Sequence, residues 1–121
     1  MAYDDFTYVE KKALLRSALL IAGSTGRIDS SQSIYLRMLI VMLDGSQQLL
    51  DDAKAMWNMN MRRTIKSMGS SKKESVAYVW YKAVCGQSYI SAVDSFLEFP
   101  EYVPFVKKLA KECEVDISKY L

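Results

Sequence analysis

Apolar residues recur every three or four positions along most of this chain, which is the spacing of one buried face of an α-helix. The first such stretch covers residues 7–22. Gly23 and Gly26 follow it, and glycines at these positions are typical of a helix end and a tight loop. The pattern therefore predicts a first helix over residues 7–22.

The next apolar stretch covers residues 30–43 and predicts a second helix. Asp29 and Gln32 stand at its start with the three-residue spacing of a capping box. The apolar run 38–43 could also form a buried strand, but the segment continues a helical frame that ends at Gly45. Because this helix is apolar on nearly all sides, we expect it to be the central and most enclosed element.

Residues 46–67 carry one apolar stripe, with acidic residues early and basic residues late, as the helix dipole favours. The pattern predicts one continuous third helix. Met56, Trp57 and Met61 fall on the stripe, and we expect them in the core. Met59 falls off the stripe and is a candidate for an exposed contact.

A second capping box, Ser71 with Glu74, predicts a fourth helix that ends near Gly86. After a short loop, Ser91 or Asp94 is expected to cap a brief helix.

Pro104 suits the first turn of a last helix. The chain shows no strand hairpin, no glycine-rich linker and no boundary of a second domain. The sequence therefore predicts a single all-α domain over residues 1–121, a compact orthogonal bundle of five to six helices.

Two of the predicted loops look alike. Residues 26–32 and 88–94 each place an isoleucine near polar capping residues, and each follows a helix with a small or apolar end. A helix–loop–helix unit used twice would give two pseudo-symmetric halves, at about residues 7–67 and 71–121. A match this short can also arise by chance.

The first of these loops resembles the loop of the tellurite-resistance TerB-like family, whose members look like two helical halves with an Asp-Gly-x-(Ile/Phe)-Asp-x-x-Glu loop in each. Gly26, Ile28 and Asp29 match that motif. Thr25 and Gln32 stand where the family has its first Asp and its Glu. The resemblance implies an all-helical bacterial protein related to stress responses.

The second loop keeps only Ile90 and an acid at Asp94, while residues 108–116 look like the family's closing helix. The resemblance covers residues 11–121. In the family, the acidic loops are the proposed metal-binding feature. A hard divalent cation needs about six oxygen ligands, several of them anionic. Because the loops here keep only Asp29 and Asp94, we predict no metal site and interpret both residues as helix caps.

The composition argues against several classes of protein. The chain has 16 Lys+Arg and 14 Asp+Glu, and this net charge of +2 is too near neutral for a protein dedicated to phosphate backbones. It has no His, the commonest acid–base side chain and metal ligand. No P-loop, GxGxxG or HExxH motif occurs. We therefore expect no enzyme and no cofactor.

Lys82 and Cys85 form a thiol–lysine pair at helical spacing, which is more simply explained by a core-edge cysteine beside a solvated lysine. Residues 1–6 are acidic and lack the pattern of a signal peptide. The longest apolar run, residues 38–43, is far shorter than the about 20 residues of a membrane helix. We expect a cytoplasmic protein that does not insert into membranes.

The surface chemistry leaves three functions open. The preferred one is a protein-interaction or adaptor module, with self-association also possible. Its predicted partner-binding residues are Met59, Arg62, Arg63, Lys66, Tyr78 and Tyr81, with both tyrosines placed on the polar side of the fourth helix. The first alternative is nucleic-acid association through the basic stretch of residues 62–73. The second is a stress protein that still binds a divalent metal.

Overall fold

The computed structural model describes residues 3–43, 45–86 and 95–121. Within these residues the fold is all-helical, as the sequence predicts. The helices are α1 (Tyr8–Ala22), α2 (Ser30–Leu43), α3 (Gln47–Ala55), α4 (Asn58–Lys66), α5 (Ser70–Cys85) and α6 (Val103–Cys113). Two short 3₁₀ turns, Phe96–Glu98 and Ser118–Tyr120, stand before and after α6.

The centre of the fold is formed by α1 and α5. Helix α1 contacts α2, α3, α4 and α5, while α6 lies against α4. Trp80 of α5 is fully buried, and its indole Nε1 donates a 2.8 Å hydrogen bond to Ser17 Oγ of α1. The Ser17 hydroxyl donates in turn to the Leu14 carbonyl oxygen at 2.8 Å. These polar atoms are therefore satisfied inside an otherwise apolar core.

The α2 N-terminus has the predicted capping box. The Gln32 backbone N–H donates to Asp29 Oδ1 at 2.8 Å, and the Asp29 N–H donates to Gln32 Oε1 at 3.0 Å. Pro104 lies in the first turn of α6, and Gly86 ends α5 at φ +79°, both as expected.

Other capping predictions have different outcomes. The capping box at Ser71 and Glu74 is wrong, because α5 begins at Ser70 behind Gly69, which has no side chain to form a cap. The turn Phe96–Glu98 is capped by Ser95, whose Oγ accepts from the Leu97 N–H at 3.0 Å. The predicted caps Ser91 and Asp94, like the second isoleucine loop, lie outside the described residues.

Helix α2 is not the most enclosed element, contrary to expectation. It packs on α1 and α5 with one side only, which carries Leu39. The opposite side exposes Ile34, Met38 and Val41, the last of them 72% exposed. An apolar run does not show how many neighbours a helix will have, and here α1 takes the central place.

The predicted continuous helix over residues 46–67 is in fact two helices. It begins as expected behind Ser46, whose Oγ accepts from the Leu49 N–H at 3.1 Å. The chain then leaves helical geometry at Met56 and Trp57 and resumes it as α4. None of the helices in the described residues is long and apolar enough to cross a lipid bilayer.

Candidate functional site

The junction between α3 and α4 is shaped by a side chain from α1. Met56 and Trp57 have extended backbone, with φ/ψ of −68°/135° and −70°/140°. Arg16 Nη1 donates to the Lys54 carbonyl oxygen at 3.0 Å, while its Nε and Nη2 donate to the Asn58 side chain. One guanidinium thus satisfies a carbonyl at the end of α3 and holds the first residue of α4.

This junction presents two large apolar side chains to solvent. Trp57 is 75% exposed and Met59 is 59% exposed. Met56 and Met61 are buried, as predicted. The core placement of Trp57 is wrong, because Trp57 precedes α4 in extended backbone and therefore does not follow the helical phase of the stripe.

A shallow cleft of about 290 Å³ lies beside the Trp57 side chain, with Lys12 and Asp52 in its lining. The Asp52 carboxylate accepts from the Tyr8 hydroxyl at 2.5 Å and from Gln48 Nε2 at 2.7 Å. These hydrogen bonds, that from Tyr8 foremost, lower the pKa of Asp52 and keep it ionised. The cleft therefore combines an aromatic wall with a lysine and a carboxylate that is already hydrogen-bonded.

The basic residues predicted to bind a partner lie on α4. Arg62 Nε is 4.0 Å from Glu112 Oε1, and Lys66 Nζ is 3.3 Å from Glu114 Oε2, so both are paired with acids at the end of α6. Arg63 is exposed, one residue further round the helix. The site therefore has a cation that faces solvent next to two cations that already have acidic partners.

The rest of the basic stretch continues into α5. Lys72 Nζ forms a 2.8 Å ion pair with Glu10 Oε1 and lies 5.5 Å from the centroid of the Phe6 ring. Lys73 lines a cleft of about 430 Å³ together with both acidic and basic side chains, among them Glu74. The stretch is therefore interleaved with carboxylates and does not form an uninterrupted cationic face.

The two candidate tyrosines of α5 have different environments. Tyr78 is exposed, as predicted, and interacts electrostatically with Tyr3 and Tyr35. Tyr81 is only 4% exposed, so its placement on the polar side of α5 is wrong. It stacks on Tyr120 with ring centroids 5.0 Å apart, because the C-terminal turn folds back over α5. The predicted residues therefore do not form one surface.

The loop that resembles the TerB-like motif is used for packing. Gln32 is fully buried, and its side-chain Nε2 lies 2.9 Å from the Ala83 carbonyl oxygen, 3.1 Å from that of Val84 and 3.2 Å from the Tyr102 hydroxyl. Asp29 caps α2. Over residues 3–43, 45–86 and 95–121, no cluster of three or more Cys, Asp and Glu side chains could hold a metal ion.

The two cysteines are buried free thiols. Cys85 Sγ lies 3.5 Å from the Gly86 carbonyl oxygen, whereas Lys82 Nζ lies over the Tyr35 ring, 5.9 Å from its centroid. Burial raises the pKa of Cys113 to about 11, which disfavours the reactive thiolate. Cys113 is therefore not an activated nucleophile.

Comparison of the chain with family models, curated proteins and solved structures finds no match. The junction between α3 and α4, with its exposed tryptophan, is therefore defined as a candidate site by its own geometry and chemistry.

Proposed function

We propose that this chain is a non-enzymatic protein-interaction module, and that a partner docks on Trp57, Met59 and Arg63, which we call the Trp57 surface. The observation that carries the proposal is a tryptophan that is 75% exposed on a well-packed domain. Tryptophan, methionine and arginine are enriched in protein interfaces, and tryptophan and arginine are frequent hot spots. Burial of the indole against a partner would remove a large apolar area from water.

The chemistry of the described residues favours binding over catalysis. The chain has no His to act as a base, and its cysteines are buried. The cleft beside Trp57 is shallow, and its carboxylate, Asp52, is already hydrogen-bonded. An adaptor needs only a stable fold and an exposed contact surface.

Within this proposal the chain is a divergent TerB-like protein of the bacterial cytoplasm, related to stress responses. The support is the loop with Gly26, Ile28 and Asp29, which forms a capped helix start at the position of the resembled motif. Gln32 replaces the family's acid and is buried against backbone carbonyls, so the proposal includes no metal-dependent step.

Nucleic-acid binding is less well supported. Three cations of the basic stretch, Arg62, Lys66 and Lys72, already have acidic partners. Pairing with carboxylates reduces the counterion release that drives phosphate-backbone binding. This function is treated as an alternative outcome of the experiment below.

Site-specific photo-crosslinking tests the proposal. The photoreactive residue p-benzoylphenylalanine replaces Met59, and the protein is irradiated in nuclease-treated extract of the source organism. A discrete protein adduct that disappears when Trp57→Ser is added is the expected result, because Trp57 and Met59 belong to the same surface. The matched control places the photoreactive residue at Arg37, an exposed position on α2.

Two results would contradict the proposal. One is the absence of a discrete adduct at position 59 under conditions in which the protein remains folded. The other is an adduct at position 37 but not at position 59, which would place docking on the exposed side of α2. An adduct seen only without nuclease treatment would favour the nucleic-acid alternative.

A further inference from the structure

The segment that carries the Trp57 surface has charges of one sign only in its sequence. Residues 53–73 contain six Lys and Arg and no Asp or Glu. Arg63 is exposed in this stretch, close in sequence to the exposed Met59. Lys12 of α1 lines the cleft beside Trp57, where the Asp52 carboxylate interacts with it. The exposed apolar residues of the junction are thus accompanied by cations from two helices.

The contact between α6 and α4 shows which kinds of side chain pack and pair with α4. It lies against α4 with an apolar side that includes the buried Leu109. The acids that follow this apolar side, Glu112 and Glu114, pair with Arg62 and Lys66. An apolar contact flanked by glutamates is therefore compatible with one side of α4.

The solvent-facing side of α4 repeats this combination. Met59 and Arg63 are spaced i and i+4, so they share one side of the helix, away from the buried Met61. The pattern of an apolar residue followed by a cation is complementary to a segment with an apolar anchor followed by an acid.

We infer that the Trp57 surface binds an acidic amphipathic peptide segment, with its apolar side on Trp57 and Met59 and its carboxylates toward Arg63. This inference rests on the proposed function and names the partner's chemistry. The titration below distinguishes this peptide from a polynucleotide, the other polyanion that basic residues can bind.

The chain carries its own reporter for this interaction. It has two tryptophans, of which Trp80 is fully buried and Trp57 is exposed. A peptide that covers the junction changes the environment of the Trp57 indole, whereas Trp80 is already shielded from solvent. The indole emission is therefore expected to move to shorter wavelength as Trp57 is covered.

The experiment is a fluorescence titration with three synthetic probes. The first is an amphipathic peptide of about 16 residues with leucine on one face and glutamate on the other. The second has lysine in place of each glutamate, and the third is an oligouridine of about 16 nucleotides. The glutamate peptide is expected to bind saturably, and Arg63→Glu is expected to weaken it about tenfold.

The controls separate charge complementarity at the Trp57 surface from the effect of reversing a charge elsewhere on the protein. Arg37→Glu makes the same charge reversal on α2 and is expected to leave the affinity unchanged, whereas Trp57→Phe removes the fluorescence change. With Arg63→Glu, the lysine peptide is expected to gain affinity, because the reversed charge then faces an opposite one.

The inference is overturned if the glutamate peptide gives no saturable change, if the lysine peptide binds the unaltered protein equally well, or if oligouridine binds more tightly. Failure of the peptide titration together with a specific adduct at Met59 would leave the proposed function standing with a different partner chemistry. Absence of that adduct would contradict the proposed function itself.

Discussion

Arg16 and Asn58, 42 positions apart in the sequence, are joined by two hydrogen bonds, in which Arg16 Nε and Nη2 donate to Asn58 Oδ1 at 3.1 and 3.0 Å. The third contact of the guanidinium, with the Lys54 carbonyl oxygen, lies on the other side of the helix break. The orientation of Trp57 between these two contacts therefore depends on a residue of α1.

Replacement Arg16→Leu is expected to lower the free energy of unfolding by about 1–3 kcal/mol, because the Lys54 carbonyl and the Asn58 side chain lose a charged donor. Urea denaturation followed by circular dichroism measures the loss. Arg37→Leu removes an exposed arginine from α2 and serves as the control. Equal effects of the two substitutions would show that the bridge contributes nothing specific.

Replacement Gln32→Glu is expected to destabilise the fold by about 2–3 kcal/mol at neutral pH. The buried Nε2 donor becomes a carboxylate oxygen that faces the carbonyls of Ala83 and Val84. Urea denaturation at pH 7 measures the change. An unchanged stability would mean that the Tyr102 hydroxyl, also within reach, turns to donate to the new carboxylate.

The same substitution has a pH signature. Burial against carbonyls raises the folded-state pKa of the new carboxyl group above its unfolded value of about 4.3. The variant is therefore least impaired below pH 4, where the carboxyl group is protonated in both states. It loses stability as the pH rises from the unfolded-state pKa through the higher folded-state pKa. Gln32→Met removes the hydrogen bonds without adding a charge. Its loss of stability relative to the unaltered protein should therefore be the same below pH 4 and at pH 7.

Replacement Tyr35→Phe is expected to stabilise the protein by about 1 kcal/mol. The Tyr35 hydroxyl is buried and has no hydrogen-bond partner in the part of the chain that the structure describes, so its desolvation is uncompensated. Thermal unfolding by calorimetry measures the change. Tyr102→Phe is the matched control and should destabilise, because the Tyr102 hydroxyl lies 3.2 Å from Gln32 Nε2.

Acid should weaken the link between α1 and α5 through Glu10. Burial alone would raise the pKa of Glu10, but hydrogen bonds from Lys72 Nζ and the Thr7 backbone N–H outweigh it and lower that pKa. Because the folded-state pKa is lower than the unfolded-state pKa, ionised Glu10 stabilises the fold at pH values above its unfolded-state pKa. This stabilisation is lost as the pH falls through the folded-state pKa.

The test compares Glu10→Gln with the unaltered protein between pH 7 and pH 3. The variant is expected to be less stable at pH 7, and the difference should shrink as the pH falls and Glu10 itself becomes protonated. Glu74→Gln removes an exposed carboxylate of α5 and is the control. A constant difference across the range would show that the charge on Glu10 is not the cause.

Much of the fold follows from local sequence signals. The capping box of Asp29 and Gln32, Pro104 and Gly86 mark helix ends with residues that act within a turn of their own position. Helix existence and several boundaries are therefore predictable. These signals do not show how the helices are arranged around one another, and so α2 was expected at the centre.

The predictions for Trp57 and Tyr81 are wrong because residues far away in the sequence determine where these side chains lie. Trp57 lies in phase with the apolar stripe of its neighbours, and the break that turns it outward is held by Arg16 from another helix. The sequence predicts Tyr81 on the polar side of α5, yet Tyr120 from the C-terminal turn stacks on it. The exposure of Met59 was predicted correctly, because it depends only on the phase of the helix that carries it.

The interruption at Met56 and Trp57 also governs the dimensions of the molecule. A straight rod over residues 47–66 would be about 30 Å long and would overhang α1, which measures about 22 Å. As two pieces of about 13 Å each, the same residues form two helices that are both shorter than α1 and both contact it. The middle helix is thereby covered by two short helices, which suits a small domain with a high ratio of surface to volume.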